Sequence, residues 1–222
     1  MTMIDLQGPE QQALAGKATK LVVFLHGYGS NGDDLIGLAP YWAQLLPEAA
    51  FISPNAPFPC EMAPFGYQWF SLENRDPHAK LAGVRAAAPL LDAFLDQQLT
   101  RFGLAEKDLA LVGFSQGTMM SLHVALRRKA ALAGVVGYSG ALIGAQFLAD
   151  EIRAKPPVLL VHGMADPVVP FDAMAQAANG LKTQGIDVVT EARPGLPHSI
   201  DEVGLQKGGA FLRHHFGAAA AT

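Results

Sequence analysis

The chain has 222 residues, half of them hydrophobic, with 16 Lys and Arg against 20 Asp and Glu and a single cysteine. That length suits one α/β domain that buries roughly 70–75% of its unfolded surface without a covalent staple. The formal net charge of −4 excludes the basic footprint of a nucleic-acid binder, and the lone Cys60 excludes an intrachain disulfide. Residues 1–7, Met-Thr-Met-Ile-Asp-Leu-Gln, have neither the basic nor the apolar region of a secretory leader. With the single cysteine, this reads as a protein of the reducing cytoplasm. The longest fully apolar runs, such as 21–25, fall far short of the ~18 residues a membrane span needs.

In chain order, the first strand is expected at 20–25. It ends in Leu25-His26-Gly27-Tyr28-Gly29-Ser30, a His-Gly-x-Gly loop whose backbone can approach a ligand closely. A helix is expected at 33–46 and a strand at 49–53. Residues 54–74 then break the alternation, with Pro54, Pro57, Pro59 and Pro64 set among Phe58, Met62, Phe65, Tyr67, Trp69 and Phe70. A loop of this length is usually functional, and its aromatic density argues against disorder. Because it follows a strand end, it reads as one wall of a substrate site, the alternative being an Ω-loop that buries its own rings. A helix at 80–102 carries Leu81, Val84, Ala88, Leu91 and Leu95 as one apolar stripe, with Pro89 expected to kink it or delay its start.

Residues 108–113 form the next strand, which runs into Gly113-Phe114-Ser115-Gln116-Gly117 and a helix at 116–129. This is a G-x-S-x-G nucleophile elbow in its strand–turn–helix setting. The sharp turn exposes the hydroxyl of Ser115, and the two glycines remove Cβ atoms that would clash. Strands at 133–138, 158–162 and 187–192 alternate with helices at 145–154, 171–184 and 200–216, and a frayed tail at 217–222 follows. Near-continuous hydrophobicity implies strands buried on both faces of a mostly parallel sheet. The pattern predicts a single three-layer α/β domain over 1–222, with its core at about 20–216.

An activated serine needs a base and an orienting acid. The strand at 158–162 leads to Asp166, braced by Pro167 and Pro170, and the strand at 187–192 leads to His198. Ser115, Asp166 and His198 therefore stand in the order Ser…Asp…His, each in a loop after a strand. The backbone N–H groups of Gln116, at a helix N-terminus, and of Tyr28 are the expected donors to an oxyanion. Phe65, Trp69, Phe70, Met164 and Leu196 are expected to line the substrate. His162 reads as structural, His123 as packed on its helix, His78, His214 and His215 as surface residues, and Ser139 as a turn. No metal-ligand spacing and no phosphate-binding glycine loop is present, so no cofactor is implied.

Phe24-Leu-His-Gly-Tyr-Gly-Ser-Asn, Gly113-Phe-Ser-Gln-Gly-Thr-Met, Tyr138-Ser-Gly, His162-Gly-Met-Ala-Asp-Pro-Val-Val-Pro and His198-Ser-Ile together resemble the phospholipase/carboxylesterase family, which includes the acyl-protein thioesterases. The resemblance runs from about residue 20 to 216. It implies an α/β-hydrolase fold without a large cap domain, acting on a small-molecule carboxylic ester or thioester. By position, Ser115, Asp166 and His198 match the family's triad, Tyr28 and Gln116 its oxyanion donors, and Trp69-Phe70 an aromatic pair near the acyl site. Two departures stand out: Tyr28 where relatives often have leucine, and Leu196-Pro197 where they commonly have Gly or Met-Gly. Both argue against carrying over fatty-acylated proteins as substrates. The reading is a serine carboxylesterase for short- to medium-chain esters. Its alternatives are a thioesterase or lysophospholipase for long chains and, more remotely, a non-catalytic binding module on the same scaffold. A homodimer that buries the apolar loop is also consistent with the sequence.

Overall fold

The computed structural model describes residues 6–74 and 76–220, with side chains to residue 217. Residues 1–5, which hold most of the leading segment considered above, and 221–222 lie outside the described residues. The elements are β1 (Glu10–Gln11), β2 (Lys20–Leu25), α1 (Gly32–Ile36), α2 (Ala39–Ala43), β3 (Ala49–Ile52), β4 (Phe58–Pro59), β5 (Tyr67–Gln68), α3 (Pro77–Phe102), β6 (Leu109–Phe114), α4 (Gln116–Ala125), β7 (Gly134–Tyr138), α5 (Leu148–Glu151), β8 (Val158–Gly163), α6 (Asp172–Thr183), β9 (Val188–Arg193) and α7 (Glu202–Ala220). The main sheet has the order β1-β3-β2-β6-β7-β8-β9, parallel throughout except for β1.

Alternate side chains of each inner strand go to opposite faces, and both faces are covered. Leu21, Val23 and Leu25 of β2 pack with Val84, Leu91 and Leu95 of α3 and Met120 of α4. Val22 and Phe24 pack on the other side with Trp42 of α2 and Leu212 and Phe216 of α7. This double burial explains the unbroken apolar runs. It fails at β9, where Val189 is 50% exposed and Thr190 and Ala192 are exposed too. The expectation of burial on both faces is wrong there because β9 is the sheet's edge. At the other edge, β1 is a two-residue antiparallel strand that the sequence reading did not contain.

Three helix expectations are also corrected. The stretch at 33–46 splits into α1 and α2, because Pro40 has no N–H to donate and its ring would clash with the carbonyl four residues back. The stretch at 145–154 becomes a 3-10 turn followed by the four-residue α5. The helix expected at 116–129 ends at Ala125, and the Leu126 carbonyl is taken by the N–H groups of Arg153 (2.8 Å) and Ala154 (3.2 Å). By contrast, α3 runs unbroken from its Asp76 cap, through Pro89, to Gly103, whose φ of +67° ends it. The final helix continues to Ala220, past the point where the tail was expected to fray.

A buried cation ties these helices together. The Arg128 side chain, only 2% exposed, donates from Nε and Nη2 to both carboxylate oxygens of Glu106 (2.8 Å each) and from Nη1 to Asp92 (2.6 Å). Removing the guanidinium strands a buried carboxylate, and losing one partner of a buried pair costs about 3–5 kcal/mol. Arg128→Ala should therefore lower unfolding stability by about 3 kcal/mol or more in urea titrations, while the turn at Ser115, at the other end of the sheet, is untouched.

Candidate active site

Ser115 occupies the turn between β6 and α4 with φ 55° and ψ −113°, in the left-handed half of backbone space. Such a conformation costs a non-glycine residue about 1–3 kcal/mol and persists only where its surroundings over-determine it. They do so here. A Cβ on Gly117 would lie 1.8 Å from the Leu25 carbonyl oxygen, and one on Gly113 would lie 2.4 Å from the Thr118 nitrogen. The Thr118 hydroxyl bonds to the carbonyls of Gly113 (2.8 Å) and Tyr138 (2.9 Å), and the Ser115 N–H donates to Tyr138 O (2.9 Å). Helix α4 is thus pressed against the end of β2, and the serine stands up between them.

Two loops away, the His198 Nδ1–H donates to Asp166 Oδ2 at 2.7 Å. The other carboxylate oxygen accepts the N–H groups of Val168 (2.8 Å) and Val169 (2.9 Å), and the Asp166 side chain is fully buried. Burial works to raise the Asp166 pKa, but the bonds from His198, Val169 and Val168 outweigh it and hold the carboxylate below its ordinary range. His162 buttresses this arrangement from beneath. Its Nε2 donates to Val169 O at 2.9 Å and lies 3.3 Å from Asp166 Oδ2. The His198 ring packs on Phe114, the residue before the serine, with centroids 4.7 Å apart. Its loop is pinned by Arg193 Nε on Asp201 (3.0 Å) and by the Gly204 N–H on the same carboxylate (2.8 Å).

The His26–Ser30 loop forms the third side. A Cβ on Gly27 would lie 3.3 Å from the Ser115 Cβ, so the loop passes directly beside the serine. His26 is fully buried and accepts the Ala56 N–H at Nε2 (2.9 Å), so its proton sits on Nδ1, 2.7 Å from Gly27 O. Burial pulls the His26 pKa down, which keeps the ring neutral. Trp69 donates its indole N–H to His26 O (3.1 Å). Among the described residues, no hydrogen bond is donated by the backbone N–H of Tyr28 or of Gln116.

The expected substrate-lining residues divide into two groups. Trp69 (0% exposed) and Phe70 (3%) are core residues beneath the site. Phe65 (91%) and Met164 (52%) project into solvent, while Leu196 is half-buried. The proline-rich loop folds as the hairpin β4–β5 and is pinned to the His26–Ser30 loop by Gly29 N–H on Tyr67 O (2.9 Å) and Tyr67 N–H on Ser30 O (2.7 Å). Sequence reasoning missed one clamp. The buried Gln116 side chain accepts the Trp69 N–H (2.9 Å) and donates to Phe70 O (2.7 Å), fastening the aromatic pair to the elbow. A glutamine at a helix start is ordinarily solvated, so only its place after the serine could have signalled this.

A mostly parallel sheet, an elbow serine at its carboxyl end and no cap domain among the described residues define an α/β-hydrolase. The chain belongs to the phospholipase/carboxylesterase family, whose model matches residues 7–216. The crystal structure of esterase PE8 superposes with a TM-score of 0.92 at 44% identity, covering 95% of this chain and 99% of that one. Acyl-protein thioesterase 1 of Gibberella zeae is 29% identical over 220 residues (90% of this chain, 92% of its own), and Esterase YpfH of Escherichia coli 27% over 189 (85% and 80%). Among the described residues no helix is long and apolar enough to cross a membrane.

A carboxylate pKa depressed by folding adds stability at neutral pH, and that stability is lost as pH falls through the folded-state value. Wild-type stability should therefore decline below the ordinary aspartate value of 3.8. In acid-range urea titrations, Asp166→Asn should flatten that part of the decline; an unchanged slope would remove Asp166 from the account.

Proposed function

We propose that the chain is a serine carboxylesterase that hydrolyses short- to medium-chain esters through an acyl-enzyme, with Ser115 as nucleophile, His198 as base and Asp166 as orienting acid. The observation that carries this reading is the 2.7 Å bond from His198 Nδ1 to Asp166. It fixes the imidazole tautomer so that Nε2 is left bare to take the Ser115 proton. Ser115 Oγ then attacks the ester carbonyl carbon, and the carbonyl oxygen becomes an oxyanion. The undonated N–H groups of Tyr28 and Gln116 receive it, each worth about 2.7–4 kcal/mol to the transition state. As the tetrahedral species collapses, the departing alcohol takes the proton from His198. Water enters, gives a proton to the same nitrogen and attacks the acyl carbonyl; the bond from Ser115 Oγ to the acyl carbon then breaks, Oγ takes the proton back from His198, and the acid is released. Asp166 keeps its charge throughout and stabilises the imidazolium.

The short-chain preference is supported by the burial of Trp69 and Phe70 in the core rather than along an open groove. A long-chain thioesterase or lysophospholipase is the second reading. It is supported by the names of the curated relatives and by the exposed Phe65 and Met164 at the rim, along which a long chain could lie. The buried, unpaired Cys60 supports a cytoplasmic setting. The exposed Met62 and Phe65 on the hairpin support a homodimer through that edge, which light scattering after size exclusion would register.

Intact mass after treatment with a fluorophosphonate should show a single adduct at Ser115, and Ser115→Ala should lose p-nitrophenyl butyrate turnover by about 10⁴-fold or more. Retained turnover would overturn the mechanism. Across p-nitrophenyl esters of increasing length, kcat/KM should fall steeply beyond about eight carbons; a profile that rises to sixteen would favour the long-chain reading.

A further inference from the structure

Glu61 takes no part in the chemistry above, yet its carboxylate collects more hydrogen bonds than ion pairing or solvation requires. Oε1 accepts the Tyr28 phenol at 2.7 Å, the Ser71 hydroxyl at 2.9 Å and the Leu72 N–H at 3.0 Å. Oε2 accepts the Gln68 amide at 3.1 Å, and the Glu61 N–H donates to the Gln68 side-chain oxygen at 3.1 Å. Four donors from three separate segments thus converge on one side chain, and none of them is a cation. The bonds outweigh the effect of burial and hold the carboxyl at about 2, so it is ionised at every working pH. Charge-assisted bonds of this kind are the stronger class.

The segments it joins are the ones that must stay in register for acyl transfer. Tyr28 carries one of the two N–H groups assigned to the oxyanion. Ser71 and Leu72 directly follow Trp69 and Phe70, which Gln116 holds from the other side. Gln68 belongs to β5, which pairs with the loop just after Tyr28 through Gly29 and Ser30. Besides Glu61, the Tyr28 phenol meets only the weakly hydrogen-bonding side chain of Cys60 among the described residues. Without Glu61, the phenol would keep only the Cys60 thiol and its packing.

We propose that Glu61 is a positioning residue. It grips the Tyr28 side chain and thereby holds the Tyr28 N–H where the oxyanion forms, locking that donor to the aromatic segment below the acyl group. The inference rests on Tyr28 N–H being an oxyanion donor. It predicts a loss confined to the transition state, because a displaced donor weakens the oxyanion far more than the neutral ester.

The test measures steady-state kinetics on p-nitrophenyl butyrate and the Ki of a trifluoromethyl ketone, whose serine adduct carries an oxyanion, for Glu61→Ala, Glu61→Gln, Tyr28→Phe and Glu61→Ala/Tyr28→Phe. Glu61→Ala should lower kcat and raise the ketone Ki together by roughly ten- to a hundredfold, with KM within about twofold of wild type. Glu61→Gln keeps the oxygen shared by Tyr28, Ser71 and Leu72 and should recover most of the loss. Tyr28→Phe removes the grip from the other side and leaves the hairpin's own bonds intact, so it remains informative if Glu61→Ala folds poorly. The double variant should be no worse than the poorer single one, since both cut the same link. An unchanged kcat and Ki in Glu61→Ala, a loss expressed in KM alone, or multiplicative effects in the double variant would each overturn the assignment. Ser115→Ala separates the two layers. If it retains turnover, the underlying site reading fails. If it is inactive while Glu61→Ala and Tyr28→Phe behave as wild type, only the positioning role fails.

Discussion

The close approach of α4 to the end of β2 governs the rest of the site. The Leu25 carbonyl sits where a side chain on Gly117 would have to be, at 1.8 Å from that absent Cβ. No residue but glycine fits there without moving a strand or a helix. Once that contact is made, the chain between β6 and α4 has too little room to turn through ordinary backbone angles. Ser115 is forced to φ 55° and pushed clear of the sheet. The same contact brings the loop after β2 alongside the serine, so the Ser115 hydroxyl and the backbone N–H groups of Tyr28 and Gln116 are placed by one packing event rather than by two.

From this contact the other parts are added as layers of support. His26, neutral and hydrogen-bonded at both ring nitrogens, props the loop after β2 from below. The Gln116 side chain reaches from the elbow to the aromatic segment, and Glu61 reaches from the hairpin to Tyr28 and to the end of that segment. On the far side, Asp166 is saturated by two backbone N–H groups and one imidazole, with His162 behind it. Each group of the candidate site is therefore held by a second polar group, itself buried or saturated with hydrogen bonds, which is the condition for electrostatic stabilisation without reorganisation.

Much of this was legible in the sequence because the inner strands are covered on both faces. Leu21–Leu25 or Leu109–Val112 can be apolar at every position only in such a setting, and the elbow glycines have no reason to recur around a serine except steric exclusion. The edges were less legible. A two-residue strand such as β1 has no periodicity to detect, and β9 mixes charge with apolar residues because one side meets water. The split at Pro40 and the early end of α4 depend on where two carbonyls find partners in tertiary structure, which no local pattern encodes. Polar clamps were the least legible of all. Glu61 and Gln116 look like surface residues by type, and only the folded chain shows how many donors meet them.

The edge strand β9 has a consequence for how this protein can assemble. It carries the half-buried Glu191 and Arg193, paired with each other and cross-linked to Asp201 and Lys207. A neighbouring chain that tried to extend the sheet there would have to strip water from four charges before gaining its first backbone bond. At the opposite border, β1 offers a template only two residues long. Both flanks are therefore guarded against templated growth. The strand that leads to His198 can lie at the border of the molecule, with that histidine near solvent, without becoming a seed for fibres.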